Sequence, residues 1–187
     1  MRRRSGLRRV SEQGHRLGRL VSDLLASSQV DSGGLVVRSR FLDLNDVVAD
    51  VVRGVDPEIA VSTNSRTLVL ADRDHVEQML VNYLSNAGKY GRPPLHVAVS
   101  NDDGYAVVRV SDAGDGVEED FVPKLFDRFS RAPSAATNRI AGTGLGLSIV
   151  RDLARAQRGD AWYEPNEPQG ACFCIKLPLA THGETAQ

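Results

Sequence analysis

The sequence has two cysteines, one tryptophan, three lysines, and no apolar run near the ~20 residues that span a bilayer. Each shortage excludes something. Cys172 and Cys174 stand one residue apart in a strand-like stretch and share a face. They are too close for an ordinary disulfide and too few for a four-ligand zinc site, so they read as buried free thiols. The start Met1-Arg2-Arg3-Arg4 is not followed by the apolar core of a secretory signal. The expectation is a cytoplasmic chain with no direct membrane insertion. Three lysines beside twenty arginines read as a coding bias. Hydrophobic residues at 41% and charged residues at 25% exclude a disordered or fibrous chain. At 187 residues there is room for one ordinary domain and an appendage.

What is present is unevenly distributed. Residues 1–20 hold seven arginines against Glu12, whereas the remainder holds 16 basic and 23 acidic residues. A basic arm can bind nucleic acid or an anionic membrane, but this one carries Leu7, Val10, Gly14, Leu17, Val21, Leu24 and Ser28 at alternating steps of three and four. That is the seam of a coiled-coil-like helix, with the arginines mostly off it on a solvated face. No nucleic-acid partner is expected. Instead the seam predicts association through the helix, as a homodimer or with a helix of another chain. Asp31-Ser32-Gly33-Gly34 ends the helix. The divisions are a helix over 1–30, a linker turn over 31–34, a domain over 35–180 and a frayed tail over 181–187.

Within the domain, Val36 to Phe41 reads as a strand, and Asp43 caps a helix whose inner face is Leu44, Val47, Val48, Val51 and Val52. Ile59 to Thr63 and Leu68 to Ala71 read as short strands. Asp72 caps a longer helix that stops near Gly91, and Leu95 to Ser100 with Tyr105 to Ser111 make a hairpin. A short helix is expected over Glu118 to Phe126 and a mobile loop over Pro133 to Ala141. A helix from about Gly144 to Arg158 and strands Ala161 to Glu164 and Ala171 to Leu177 follow. This order predicts an α/β fold, a two-layer sandwich of a mixed, mostly antiparallel sheet with helices on one face.

Four stretches carry chemistry. In Asn82-Tyr83-Leu84-Ser85-Asn86-Ala87-Gly88-Lys89-Tyr90, the helical spacing lets Asn82, Asn86, Lys89 and Tyr90 project to one side. Two amide oxygens, a cation and a ring suit a metal-phosphate and a flat base, although asparagines also simply end helices. Asp112-Ala113-Gly114-Asp115-Gly116-Val117 sets a carboxylate beside flexible glycines, which an amine on a ring could approach; alone it reads as a turn. Phe126-Asp127-Arg128-Phe129 offers an arginine between aromatics. Gly142-Thr143-Gly144-Leu145-Gly146-Leu147 runs into a helix start, where converging amides favour an anion. Its Gly-x-Gly-x-Gly spacing matches neither the dinucleotide fingerprint nor the P-loop.

Together, in this order, the four stretches resemble the N, G1, F and G2 boxes of the catalytic ATP-binding domain of sensor histidine kinases, within the gyrase, Hsp90, histidine kinase and MutL ATPase superfamily. The likeness covers about Leu35 to Leu179. It implies the Bergerat-type form of the sandwich and ATP and Mg²⁺ as cofactors. Asn86 and Asn82 would hold Mg²⁺, and Lys89 would approach the phosphates. Tyr90 would line the nucleotide pocket, Asp112 would bind the adenine amine, and Gly114 and Gly116 would shape the pocket with Val117 beside them. The segment from about Pro123 to Ala141 would be the ATP lid, with Phe126, Arg128 and Phe129 at its base and Arg128 near the phosphates. Gly142, Thr143, Gly144, Leu145, Gly146 and Leu147 would cradle the phosphates. Ala141 stands where many members have another glycine, and Asp115 receives no role.

The resemblance also shows what the sequence does not contain. The N-terminal helix is similar to the second helix of the kinase dimerisation hairpin, including Leu24-Leu25, and the first helix, which carries the phosphoacceptor histidine, is absent. None of His15, His75, His96 and His182 has the flanking acidic residue, arginine and proline expected of an acceptor. No catalytic residue is therefore expected within this chain. The resemblance implies a histidine kinase subunit that phosphorylates a histidine on a partner chain, which feeds a response regulator; two explanations compete, a kinase split across two polypeptides, which could be recruited to a membrane-bound partner, and a fragment of a longer membrane sensor. The alternatives are a serine kinase of the anti-sigma type and a regulatory module that binds nucleotide without catalysis. A gyrase-type or mismatch-repair-type ATPase would need a water-activating glutamate where Asn82 stands, and an amide takes up no proton at neutral pH.

Overall fold

The computed structural model describes residues 34–63, 65–132 and 142–180. The chain divides into one unit ending at Leu35 and another starting at Val36, and the second is described here. The expected helix over 1–30, most of the linker, the lid segment 133–141 and the tail 181–187 lie outside the described residues.

Two aspartates start two of the helices. Asp43 accepts a hydrogen bond from the Asn45 amide and begins α1 (Leu44–Val55). Asp72 accepts from the Asp74 and His75 amides and begins α2 (Arg73–Tyr90). α1 buries Leu44, Val47, Val48, Val51 and Val52, while α2 buries Val76, Met79, Leu80, Tyr83, Leu84 and Ala87. A third helix, α3 (Gly146–Ala156), buries Ile149, Val150, Leu153 and Ala154. These are the stripes that the three-and-four spacing dictates. Each fully buried Leu or Val contributes about 1.5–3 kcal/mol, so packing rather than helix propensity holds them in place.

Among the described residues seven strands follow the expected order: β1 (Arg40–Asp43), β2 (Ala60–Thr63), β3 (Leu68–Ala71), β4 (His96–Asp102), β5 (Tyr105–Ser111), β6 (Asp160–Pro165) and β7 (Ala171–Pro178). β1 pairs with β3 in a small antiparallel sheet, and the main sheet runs β2-β4-β5-β7-β6 with only β2 and β4 parallel. The mixed, mostly antiparallel sheet is thus the expected one. β4 and β5 turn through Asp103 and Gly104 at φ 44° and 81°, the left-handed pair that a tight hairpin requires.

Two elements differ from the sequence expectation. The first strand begins at Arg40 rather than Val36, because the Arg38 amide donates to Asp72 Oδ2 instead of to a strand. The helix expected over Glu118 to Phe126 is a 3-10 turn over Glu119–Lys124 with Pro123 inside it, and a proline cannot donate to an α-helical ladder.

The cross-strand register sorts the main sheet into two faces. Val97, Val110, Phe173 and Tyr163 form a row on the helix side, where the Tyr83 ring packs 5.4 Å from that of Phe173. His96, Ser111, Cys172 and Glu164, and beside them Ala98, Arg109, Cys174 and Trp162, point the other way. Both cysteines are buried free thiols, as expected, with their sulfurs 3.7 Å apart. Their mutual hydrogen bond draws the Cys172 thiol down and, with burial, pushes the Cys174 thiol up. Among the described residues, no helix is long and apolar enough to cross a membrane.

Candidate functional site

The site collects at the C-terminal end of α2, the end of β5 and the start of α3. Asp112, one residue past β5, is only 3% exposed. Its amide donates to the Ala171 carbonyl, and its Oδ1 accepts from the Gly114 amide at 2.8 Å. The helix end presses directly against it. A methyl group on Gly91 would stand 2.5 Å from Asp112 Cγ, so the chain leaving α2 can pass the carboxylate only without a side chain. On the other side, Asn166 Nδ2 donates to the Asp112 carbonyl and Gln169 Nε2 donates to the Gly114 carbonyl. Gly116 lies within reach of Gly170 and the Tyr163 hydroxyl, which also approaches the Val117 amide at 3.4 Å. The result is an anchored, nearly buried carboxylate, suited to accept from an amine on a flat ligand.

A second group of residues meets opposite α2. Asn82 and Asn86 are half-buried and one helical turn apart, and Lys89 and Tyr90 are exposed near the helix end. A methyl group on Gly146 would lie 3.4 Å from Asn82 Oδ1, and one on Gly142 would lie 3.0 Å from the Tyr90 hydroxyl. The Asn82 amide and the Tyr90 ring therefore face the glycine segment at close range. Asn82 Nδ2 is buried and has no hydrogen-bond partner, a cost of about 1–3 kcal/mol that a ligand oxygen would remove. The start of α3 has the matching property. Among the described residues no side chain caps it, and no acidic residue sits in its first turn, so its leading amides and dipole favour an anion. These features suit a polyphosphate, and the amide oxygens at Asn82 and Asn86 are of the hard-donor type that Mg²⁺ accepts.

The aromatic-arginine stretch packs against α3 and the glycine segment. Phe126 is buried beneath the Arg151 guanidinium, 4.1 Å from the ring centroid. Arg128 pairs with Asp152 of α3 at 3.1 Å, so in this conformation it is tied to the helix that begins at the glycine segment. Phe129 is 68% exposed at φ 61°, and its amide donates to the Gly144 carbonyl. Gly144 adopts φ 73° against the Phe129 backbone, where a methyl group would collide with the carbonyl carbon. Thr143 Oγ1 accepts from the Leu145 amide, while Leu145 is buried and Leu147 half-buried.

All the predicted site residues except the lid segment 133–141 are thus described, and four distant stretches converge. Sequence reasoning did not identify Gly91, Asn166, Gln169, Gly170, Asp152 or Arg151. The turn at Asn166 to Gly170 carries an ordinary loop signal, and nothing local announces that it folds 54 residues back onto Asp112.

Comparison with known proteins bears on the family and the fold. The family model described as histidine kinase-, DNA gyrase B-, and HSP90-like ATPase matches residues 71–181. The chain is 33% identical over 180 residues to the sensor histidine kinase WalK of Bacillus subtilis, covering 90% of this chain and 30% of that protein. It is 34% identical over 177 residues to the signal transduction histidine-protein kinase AfsQ2 of Streptomyces coelicolor, covering 92% of this chain and 32% of that one. The chain therefore spans about a third of the length of these relatives. Among solved structures, full-length ShkA in complex with AMPPNP superposes with a TM-score of 0.79 at 26% identity, over 98% of this chain and 40% of that one. The mycobacterial sensor histidine kinase MprB gives 0.61 at 25%, over 75% of this chain and 97% of that one.

Proposed function

The chain belongs to the histidine kinase-, DNA gyrase B- and HSP90-like ATPase family, and from that premise we propose that residues 35–180 are the ATP-binding half of a protein-histidine kinase. It takes Mg²⁺-ATP and passes the γ-phosphoryl group to a histidine on a partner segment, which feeds a response regulator. The buried Asp112 carboxylate, fixed by the Gly114 amide and flanked by Gly91, carries this reading. A carboxylate in that setting accepts only, which selects the exocyclic amine of adenine over a ring that presents a carbonyl there. The triphosphate then extends along α2 to the uncapped start of α3, past the unpartnered Asn82 amide. Asn86 and Asn82 would hold Mg²⁺, which when bound neutralises phosphate charge; Lys89 supplies a further cation at the same helix end.

Phosphoryl transfer breaks the bond from the γ-phosphorus to the bridging oxygen as the acceptor nitrogen bonds to phosphorus, and ADP leaves. The protein contributes positioning and charge rather than covalent chemistry. Of the histidines within the described residues, His75 lies in the first turn of α2 beside Asp72 and His96 starts β4 on the sheet face away from the helices, so neither lies at the glycine segment. This supports an acceptor on a partner. Mixing the full chain with a histidine-bearing kinase hairpin and γ-labelled ATP should give acid-labile label on the hairpin only. Label on this chain alone at His15 would overturn the partner requirement, and acid-stable label on a partner serine would replace histidine kinase by serine kinase.

A further inference from the structure

The face of the main sheet away from the helices holds a cluster that nucleotide chemistry does not use. Cys172 and Cys174 project from β7 to the same side, and Glu164 faces Cys172 from the neighbouring β6. The two sulfurs and a Glu164 carboxylate oxygen all lie within 4.8 Å of one another. We propose that Cys172, Cys174 and Glu164 form a three-ligand site for a soft divalent cation of the zinc class.

The sulfur spacing is the first argument. Two thiolates bound to one tetrahedral zinc-class ion, with bonds of about 2.3 Å, stand about 3.75 Å apart. The observed separation is 3.7 Å, so the strand pleat presets the bite without backbone movement. Charge is the second argument. Two thiolates and a carboxylate carry three negative charges, which a dication and one guanidinium balance. Arg109 is that guanidinium; it sits across from Cys174 in the register, with its Nε 3.9 Å from Glu164 Oε2. Orientation is the third. Trp162 Nε1 donates to Glu164 Oε1 at 2.6 Å, and Arg109 Nη1 is held by Ser100 Oγ at 3.0 Å. The first contact fixes the ligand carboxylate itself and the second fixes its charged neighbour, in the manner of outer-shell groups around metal sites. Two sulfurs select a thiophilic ion over Mg²⁺, which prefers oxygen. Three protein ligands leave the fourth position of the tetrahedron to water or an exogenous ligand.

The test is a Co²⁺ titration of the full, reduced, nucleotide-free chain in excess Mg²⁺, which occupies oxygen sites without competing for thiolates. A sulfur-to-cobalt charge-transfer band with the strong visible bands of four-coordinate cobalt should appear, saturate at a single equivalent and vanish on adding Zn²⁺. Cys172→Ser and Cys174→Ser should each weaken the band and the double variant should abolish it. Glu164→Gln should keep the sulfur band but weaken binding about tenfold or more. Absence of the band in the folded wild-type chain overturns the site, whether or not the serine variants fold. A band that survives in the double variant overturns it as well.

Discussion

Replacing the Asp112 carboxylate by its amide keeps the shape and removes the charged acceptor. Asp112→Asn should weaken ATP binding by about 1–3 kcal/mol, read by calorimetry, and unchanged affinity would show that the adenine amine binds elsewhere. Tyr83 offers a different single-residue test. Its hydroxyl donates to the Cys174 carbonyl at 3.0 Å, and burial holds its phenol well above the ordinary value, with Cys174 adding to the shift. The unfolded chain therefore releases this proton first. Below the ordinary phenol pKa the contribution of Tyr83 is complete, and it declines as pH rises above that value. Tyr83→Phe should lower stability at neutral pH by about 1 kcal/mol and flatten the alkaline decline seen in denaturant melts of the wild type. Both positions show how far single residues speak from sequence. Asp112 is visible because glycines surround it, whereas Tyr83 looks like part of the nucleotide helix and turns out to anchor that helix to β7.

At the scale of elements, the two helices that build the site are tied together at their far ends. Gln157, just past α3, accepts from the Asp72 amide at 2.7 Å and donates to the Leu153 carbonyl, while Asp72 caps α2. One buried amide thus fixes the end of α3 against the start of α2. Gln157→Leu should cost about 1–3 kcal/mol in chemical denaturation, because the Asp72 amide loses its partner in a dry place. Helix starts at Asp43 and Asp72 and the β4-β5 hairpin are legible in the sequence, since caps and tight turns use local chemistry. The link from Gln157 to Asp72 spans 85 residues and has no local mark. The same holds for Glu164 beside Cys172: cysteines one residue apart announce a shared face, but their third neighbour comes from whichever strand the register brings alongside.

For the whole molecule, nucleotide binding and phosphoryl transfer should separate. Removing residues 1–30 should abolish partner phosphorylation and leave ATP affinity unchanged, because every described residue assigned to the site lies beyond Gly34. Loss of both activities would mean that the N-terminal segment supports the pocket. The amino-acid order by itself determined the layer architecture, the helix stripes and the four stretches that mark the family, because periodicity, capping and glycine spacing are properties of near neighbours. Only the tertiary structure decided that Gly91 and the turn at Gly170 close around Asp112, that Arg128 rests on Asp152, and that a carboxylate joins the two thiols on the sheet face away from the helices. Those contacts depend on strand register and on how helices seat against the sheet, which are set by the packing of the entire core and not by any local run of residues.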